Sequence, residues 1–161
     1  MLTILAAVAA GAAGMADLPN VFQATCLDGQ AKLSAGEVSQ SSFDQMPANL
    51  RENLGRPASG KVWKFNAAGD SYLYMLDYGS SRRVCGLASD TMDLKTGGDM
   101  LEARVTGGVD RSRTRAAQWI NAKDGYIATA TTQAAYKVLQ INWMSVGDKY
   151  EAQEVRAQLA H

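Results

Sequence analysis

Three runs of alternating apolar and polar residues follow one another late in the chain, at 116–121, 126–132 and 136–144. A period of two is the repeat of a β-strand, whose successive side chains point to opposite faces. Asp124-Gly125 separates the first two runs, and it favours a tight hairpin because glycine accepts the positive φ that the turn requires. The pattern therefore predicts an antiparallel meander with one buried face.

A second set of alternating runs lies nearer the middle of the chain, at 61–66, 71–78 and 82–88. The sequences between them are rich in glycine, alanine, aspartate and serine, which is typical of hairpin connections. We therefore predict a second meander. Together the two meanders give one antiparallel sheet of five or six strands.

Short helices are predicted around the strands, from capping residues and from apolar positions one helical turn apart. Leu50 and Leu54 share one face, for example, and Gly55 suits the C-terminal cap. The predicted helical segments are 21–27, 35–40, 47–54, 99–105 and 148–160. When the helices pack on one face of the sheet, the result is a two-layer α+β domain.

The first sixteen residues differ from the rest of the chain. Residues 4–13 form an uncharged apolar run, and Gly14-Met15-Ala16 supplies the small residues of a signal-peptide cleavage site. The run is too short for a stable membrane span, which needs about 20 residues. We predict a signal peptide at 1–16 and a single domain at 17–161. The alternative is that the first sixteen residues form the first helix of the domain.

The length and charge of the chain limit its number of domains and the kinds of partner that it can attract. At 161 residues the chain is long enough for one core and too short for two ordinary domains. Its 16 basic and 16 acidic residues leave a formal net charge of zero. Because no overall field attracts nucleic acid or an anionic membrane, we expect neither as a partner.

The two cysteines, Cys26 and Cys85, lie far apart in the sequence, and neither belongs to a CxxC or Cys–His cluster. The spacing that metal sites and dithiol redox centres require is missing, so we predict no metal and no cofactor. In an oxidising compartment two distant cysteines usually pair, and Gly86 would leave room for a helix to approach Cys85. We therefore predict a disulfide between them. Two buried free thiols in a cytosolic protein are the alternative.

Candidate catalytic residues are sparse. The only histidine, His161, is the last residue, which disfavours triads that use histidine as the base. Gly97-Gly98 belongs to no phosphate-binding motif and suits a helix entry. A converging pair of carboxylates would instead suit a hydrolase or lyase that acts on a glycan or peptide with the help of tyrosine and arginine. The scattered carboxylates are Asp44, Glu52, Asp70, Asp77, Asp90 and Asp93.

An arginine cluster is the one concentration of charge in the sequence. Arg111, Arg113 and Arg115 alternate, so they would share one face of an extended strand, and Arg104 could join them. Such a cluster suits a phosphate, a carboxylated glycan or an acidic partner. The alternative is a solvated loop and strand edge, where arginines discourage aggregation.

Aromatic residues are concentrated in the predicted strands. They either form the core or provide a platform on which a sugar or peptide could bind, and the sequence does not distinguish the two. They are Trp63, Tyr72, Tyr74, Tyr78, Trp119, Tyr126, Tyr136 and Trp143.

Four short segments, combined with the export-like start, carry a resemblance. They are Ala24-Thr25-Cys26-Leu27, Gly60-Lys61-Val62-Trp63, Val84-Cys85-Gly86-Leu87 and the run from Tyr136 to Trp143. Together they resemble small exported proteins of alphaproteobacteria that carry no assigned function. The resemblance implies an envelope location and transfers no catalytic residues. We expect a periplasmic or secreted, non-catalytic domain that binds a protein partner or self-assembles.

Overall fold

The computed structural model describes residues 17–30, 33–79, 82–105, 109–110, 116–121 and 125–144. The helices are α1 (Leu18–Phe22), which continues into a π-helix (Gln23–Leu27), α2 (Ala48–Leu54) and α3 (Leu94–Arg104), with a 3₁₀ turn at Phe43–Gln45. The strands are β1 (Val38–Ser41), β2 (Ser59–Phe65), β3 (Ser71–Asp77), β4 (Arg82–Ser89), β5 (Val109–Asp110), β6 (Ala116–Asn121), β7 (Tyr126–Gln133) and β8 (Tyr136–Met144). The predicted signal peptide and tail helix lie outside these residues.

The strands of the described chain form one antiparallel sheet in the order β1-β2-β3-β4-β8-β7-β6-β5. Both predicted meanders are present, as β2–β3–β4 and β6–β7–β8. They join where β4 pairs with β8, with Cys85 opposite Ile141 and Leu87 opposite Leu139. The sheet has eight strands in this part of the chain, not five or six. The two extra strands are the edges β1 and β5, of four and two residues, which are too short to show a period.

Each face of the sheet carries its own core. On the face that we call face A, Leu73, Leu87 and Leu139 pack under α1, the π-helix and α3. On the opposite face B, Tyr74 and Val84 pack with the residues of α2. The prediction that all helices lie on one face is therefore wrong. Consecutive residues of the central strand β3 are buried from Ser71 to Tyr74, so other elements must pack against both faces of this strand.

The predicted helix at 35–40 is a turn followed by β1. Ser34 and Glu37 have the spacing of a capping pair, and Glu37 Oε2 accepts hydrogen bonds from the Ser34 amide at 3.1 Å and the Ser34 hydroxyl at 2.8 Å. The chain then extends because Val38, paired with Phe65, buries its side chain in the face A core. The capping residues thus identify the turn, and strand pairing decides the conformation of the residues after it.

The helix expected at 99–105 begins five residues earlier, at Leu94. Asp93 is its N-cap and accepts hydrogen bonds from the amides of Lys95 and Thr96. Gly97 and Gly98 therefore lie inside the helix and do not form its entry. No helix within the described residues is long and apolar enough to cross a membrane.

Candidate functional site

A disulfide between Cys26 and Cys85 confirms the predicted pairing. Their Cα atoms are 5.6 Å apart, and both residues are almost completely buried. The bond joins the π-helix to β4 in the middle of the sheet. It therefore holds the α1–π-helix segment on face A.

The π-helix gives the neighbouring Thr25 an unusual environment. The Asp28 amide donates to the Gln23 carbonyl at 2.9 Å, a bond that spans five residues and widens the turn. Thr25 is buried, and its Oγ1 has no hydrogen-bond partner within the part of the chain that is described. A buried hydroxyl without a partner costs free energy, which makes Thr25 a candidate for contact with a ligand or partner.

An open hollow of about 320 Å³ lies between the π-helix and the ends of β3, β4 and β8. Met75 borders it, and its side chain is 37% exposed, the one exposed large hydrophobic side chain among the described residues. Among the described residues, α1 packs mainly on β4 and α3 packs on β6, β7 and β8, so neither helix has its main contacts with β3. The lining residues are Thr25, Met75, Leu76, Asp77, Arg83, Val84, Cys85 and Trp143.

Polar groups surround the apolar part of this hollow. Arg83 Nε lies 3.7 Å from Asp77 Oδ2, with the Arg83 side chain largely in solvent and the Asp77 side chain 41% exposed. Asp77 Oδ1 also accepts a hydrogen bond from the Gly79 amide at 2.8 Å. An exposed ion pair of this length contributes little to stability, so either charge is free to pair with a partner group. We call Thr25, Met75, Asp77, Arg83 and Trp143 together the Met75 surface.

A second constellation lies on face B at the opposite end of β3. Asp70 accepts hydrogen bonds from the hydroxyls of Tyr72, at 2.9 Å, and Tyr136. Lys64 Nζ lies 3.1 Å from the same carboxylate and 5.4 Å from the centre of the Tyr72 ring. The Asp70 carboxylate therefore connects β2, β3 and β8. We call Lys64, Asp70, Tyr72 and Tyr136 the Asp70 cluster.

These contacts move the pKa values of the Asp70 cluster away from neutrality. Burial opposes ionisation of Asp70, but the hydrogen bonds from Tyr136, Tyr72 and Lys64 outweigh it and hold its pKa below the usual value. Burial, followed by the hydrogen bond to Asp70, raises the pKa of Tyr136 and of Tyr72. The hydrogen bond to Asp70 raises the pKa of Lys64. None of these shifts favours a proton exchange near pH 7.

Of the other candidate carboxylates, Asp44, Asp90 and Asp93 have structural contacts, whereas Glu52 is exposed on α2. Asp90 Oδ1 accepts from the Asp70 amide at 2.9 Å, and Asp44 lies 3.5 Å from Arg56. Asp93, with Asp17, borders a second hollow of about 340 Å³, but each of these two carboxylates caps a helix. Among the described residues, no three or more histidine, cysteine, aspartate or glutamate side chains are grouped to hold a metal ion.

The predicted arginine cluster is described only at Arg104. Its guanidinium forms an ion pair with Asp28, next to the π-helix, with about half of the Arg104 side chain in solvent. Arg111, Arg113 and Arg115 lie outside the described residues. Arg104 therefore connects α3 to the end of the π-helix.

The aromatic residues divide between the core and the surface. Tyr72, Tyr74, Trp119 and Tyr136 are buried. The half-buried aromatic residues are Trp63, Tyr78, Tyr126 and Trp143. Trp143 alone of these borders the hollow beside Met75.

Sequence reasoning did not identify Thr25 or Met75 as candidate site residues. Met75 alternates with Leu73 on β3, and the pattern indicates a buried side chain. No motif marks the π-helix around Thr25.

Comparisons with protein-family models, with curated proteins and with solved structures found no match to this chain.

Proposed function

We propose that this protein is an exported, disulfide-stabilised, non-catalytic domain that binds a protein partner through the Met75 surface. The observation that carries the proposal is the exposed Met75 side chain above an open hollow. A flexible thioether beside an unfilled apolar hollow is suited to receive an apolar side chain from another protein.

The composition of the Met75 surface supports a protein partner. Interfaces commonly combine an apolar, aromatic-rich centre with a polar rim that fixes orientation. Here Met75 and Trp143 supply the apolar centre, and Asp77 and Arg83 supply charges of both signs. The Thr25 hydroxyl borders the same hollow and has no hydrogen-bond partner among the described residues, so it offers a further hydrogen bond.

Two observations support export to the periplasm or secretion. Disulfides form and persist in oxidising compartments, and Cys26 is bonded to Cys85. The sequence of residues 1–16 has the apolar run and small residues of a signal peptide. The resemblance to small exported alphaproteobacterial proteins agrees with this location.

The second candidate function is a hydrolase or lyase acting on a glycan or peptide at the Asp70 cluster. It is favoured by the carboxylates of Asp70 and Asp90 lying near Tyr136 at one end of the sheet. The lowered pKa of Asp70 and the raised pKa of Tyr136 make both residues poor proton carriers at neutral pH. This chemistry therefore ranks below partner binding.

Capture from an envelope extract, with the purified domain as bait, tests the proposal. We expect Met75→Glu to weaken capture of the partner at least about tenfold, because it places a charge in the apolar centre of the contact. Asn53→Glu is the matched control, since it adds the same charge to an exposed position of α2. Capture of nothing by the unmodified domain, or equal capture by Met75→Glu, would contradict the proposal.

A further inference from the structure

The edge strand β1 has one of the features that normally protect a sheet edge, its short length of four residues, but lacks the charged residues and proline that usually prevent strand addition. Within the described chain it is the first strand of the sheet, and Ser39 and Gln40 are exposed. Residues 38–42 include no charged residue and no proline, the usual means of preventing strand addition. Among the described residues, the shortness of β1 is what limits pairing with another strand.

The backbone groups that β1 directs outward can be assigned from its pairing with β2. The Asn66 amide donates to the Glu37 carbonyl at 2.9 Å, so Glu37 directs its carbonyl towards β2. This direction alternates from one residue to the next along a strand. The backbone amides and carbonyls of Ser39 and Ser41 therefore also point towards β2, whereas those of Val38 and Gln40 point away from the sheet. Ser42 has extended dihedrals, φ −130° and ψ 162°, and continues the alternation.

Two of these outward groups are already bonded within the chain. The Val38 amide donates to the Ser34 carbonyl at 3.2 Å, and the Ser42 carbonyl accepts from the Gln45 amide at 3.1 Å. Within the described part of the chain, the Val38 carbonyl, both backbone groups of Gln40 and the Ser42 amide therefore remain for a partner strand.

This pattern is self-complementary about Gln40. In an antiparallel pair with a two-fold axis at Gln40, the two Gln40 residues exchange amide and carbonyl bonds. Val38 of each copy then lies opposite Ser42 of the other, where the free Ser42 amide meets the free Val38 carbonyl. The two groups already bonded within the chain, the Val38 amide and the Ser42 carbonyl, also lie opposite each other. An unrelated strand would instead place a free carbonyl opposite the occupied Val38 amide and a free amide opposite the occupied Ser42 carbonyl.

We infer that β1 pairs with β1 of a second copy of this chain, which extends the sheet across a two-fold axis at Gln40. The side chains that meet are small or neutral, with Ser39 of one copy opposite Ser41 of the other. The zero net charge of the chain adds no overall repulsion between copies. Four backbone hydrogen bonds over a short strand give a dimer that dissociates on dilution. This contact lies apart from the Met75 surface.

Light scattering coupled to gel filtration over a range of protein concentrations tests the inference. We expect the mass of the exported protein to rise from one chain towards two as concentration increases. Gln40→Pro removes an outward amide at the axis without removing a β1–β2 hydrogen bond, so this variant should remain a monomer. Gln40→Lys should also weaken the dimer, and salt should partly restore it by screening the two facing charges.

Two controls separate this inference from the proposed function. Asn53→Lys adds the same charge on α2 and should leave the dimer intact, as should Met75→Glu. A chain that is monomeric at every concentration would overturn the inference. So would a dimer that persists in both Gln40→Pro and Gln40→Lys. Loss of the dimer in Met75→Glu alone would assign self-association to the Met75 surface instead.

Discussion

Tyr74 illustrates how single residues determine the packing of face B. Its side chain is 1% exposed, and its hydroxyl donates to Gln140 Oε1 at 2.9 Å. Gly86 lies directly opposite it on β4, and a Cβ atom there would be 2.3 Å from the Tyr74 ring. The absence of a side chain at Gly86 therefore makes room for a buried aromatic ring and its hydrogen bond.

Gly86→Ala should lower the free energy of unfolding by about 1–3 kcal/mol, because the buried Tyr74 ring cannot move away from the added methyl group. Urea denaturation measures the effect. Gly36→Ala is the control, since a Cβ atom at Gly36 would have nothing within 4 Å. Equal stability of the two variants would show that Tyr74 adapts more readily than its burial indicates.

Asp70→Asn tests the electrostatic contribution of the Asp70 cluster. The pKa of Asp70 lies below its ordinary value of 3.8. Its contribution to stability is therefore fully present above pH 3.8 and is lost as pH falls through the lower pKa of the folded state. Melting temperatures should fall with acidification more steeply in the unmodified protein than in Asp70→Asn. Parallel curves for the two proteins would mean that the cluster contributes no charge-dependent stability.

At the scale of elements, α3 lies unusually close to the sheet at one point. A Cβ atom at Gly97 would be 2.7 Å from Leu139 Cδ2, whereas one at the adjacent Gly98 would be 3.5 Å from the Trp119 ring. Leu139 is completely buried, so it has little freedom to give way. The absence of a side chain at Gly97 therefore permits the close approach of α3 to β8. A side chain at Gly98 would fit without a clash, so the approach does not depend on that glycine.

The two neighbouring glycines should respond oppositely to alanine. Gly98→Ala should leave stability unchanged or raise it by up to about 1 kcal/mol, because alanine favours the helix. Gly97→Ala should lower the free energy of unfolding by about 1–3 kcal/mol through its clash with Leu139. Chemical denaturation of both variants provides the comparison. A gain in stability from Gly97→Ala would contradict the close packing of α3 on β8.

The sequence allowed prediction of elements better than of their arrangement. Alternation along the chain correctly predicted β2–β4 and β6–β8, while helix positions depended on caps that other residues could mimic. Gly86 was expected to admit the helix at Cys85, but it lies on the opposite face and accommodates Tyr74. The exposure of Met75 depends on which strands the helices cover. That arrangement is set by tertiary packing, which local patterning does not encode.

The Asp70 cluster was beyond prediction for a related reason. Asp70 and Tyr136 are separated by 66 residues, and they meet only because β8 inserts beside β4. Strand order depends on the relative stability of alternative pairings, and the pattern of each strand is compatible with several. The disulfide was predictable because two distant cysteines in a chain with a predicted export signal have few other roles.

At the scale of the whole molecule, the disulfide fixes the position of the N-terminal segment. It closes a sequence separation of 59 residues and holds α1 and the π-helix against the sheet. These short helices would be marginal on their own. Since the π-helix also forms one wall of the hollow, the disulfide maintains the shape of the Met75 surface.

Cys85→Ser, or reduction, should lower the free energy of unfolding by about 2–5 kcal/mol. Residues 17–30 should lose protection from amide hydrogen exchange before the sheet does, because they depend most on the bond. Addition of reductant to a Cys26→Ser/Cys85→Ser protein is the control and should change nothing. Uniform loss of protection across the sheet would contradict a local tethering role.

Oxidative footprinting of the free domain and of its partner-bound form tests directly whether the partner contacts the Met75 surface. Met75 has an exposed, oxidisable thioether, whereas the partly buried Met100 lies on α3, outside the proposed contact. We expect partner binding to suppress oxidation of Met75 and Trp143 and to leave that of Met100 unchanged. Equal oxidation of Met75 in the free and bound forms would show that the partner binds elsewhere.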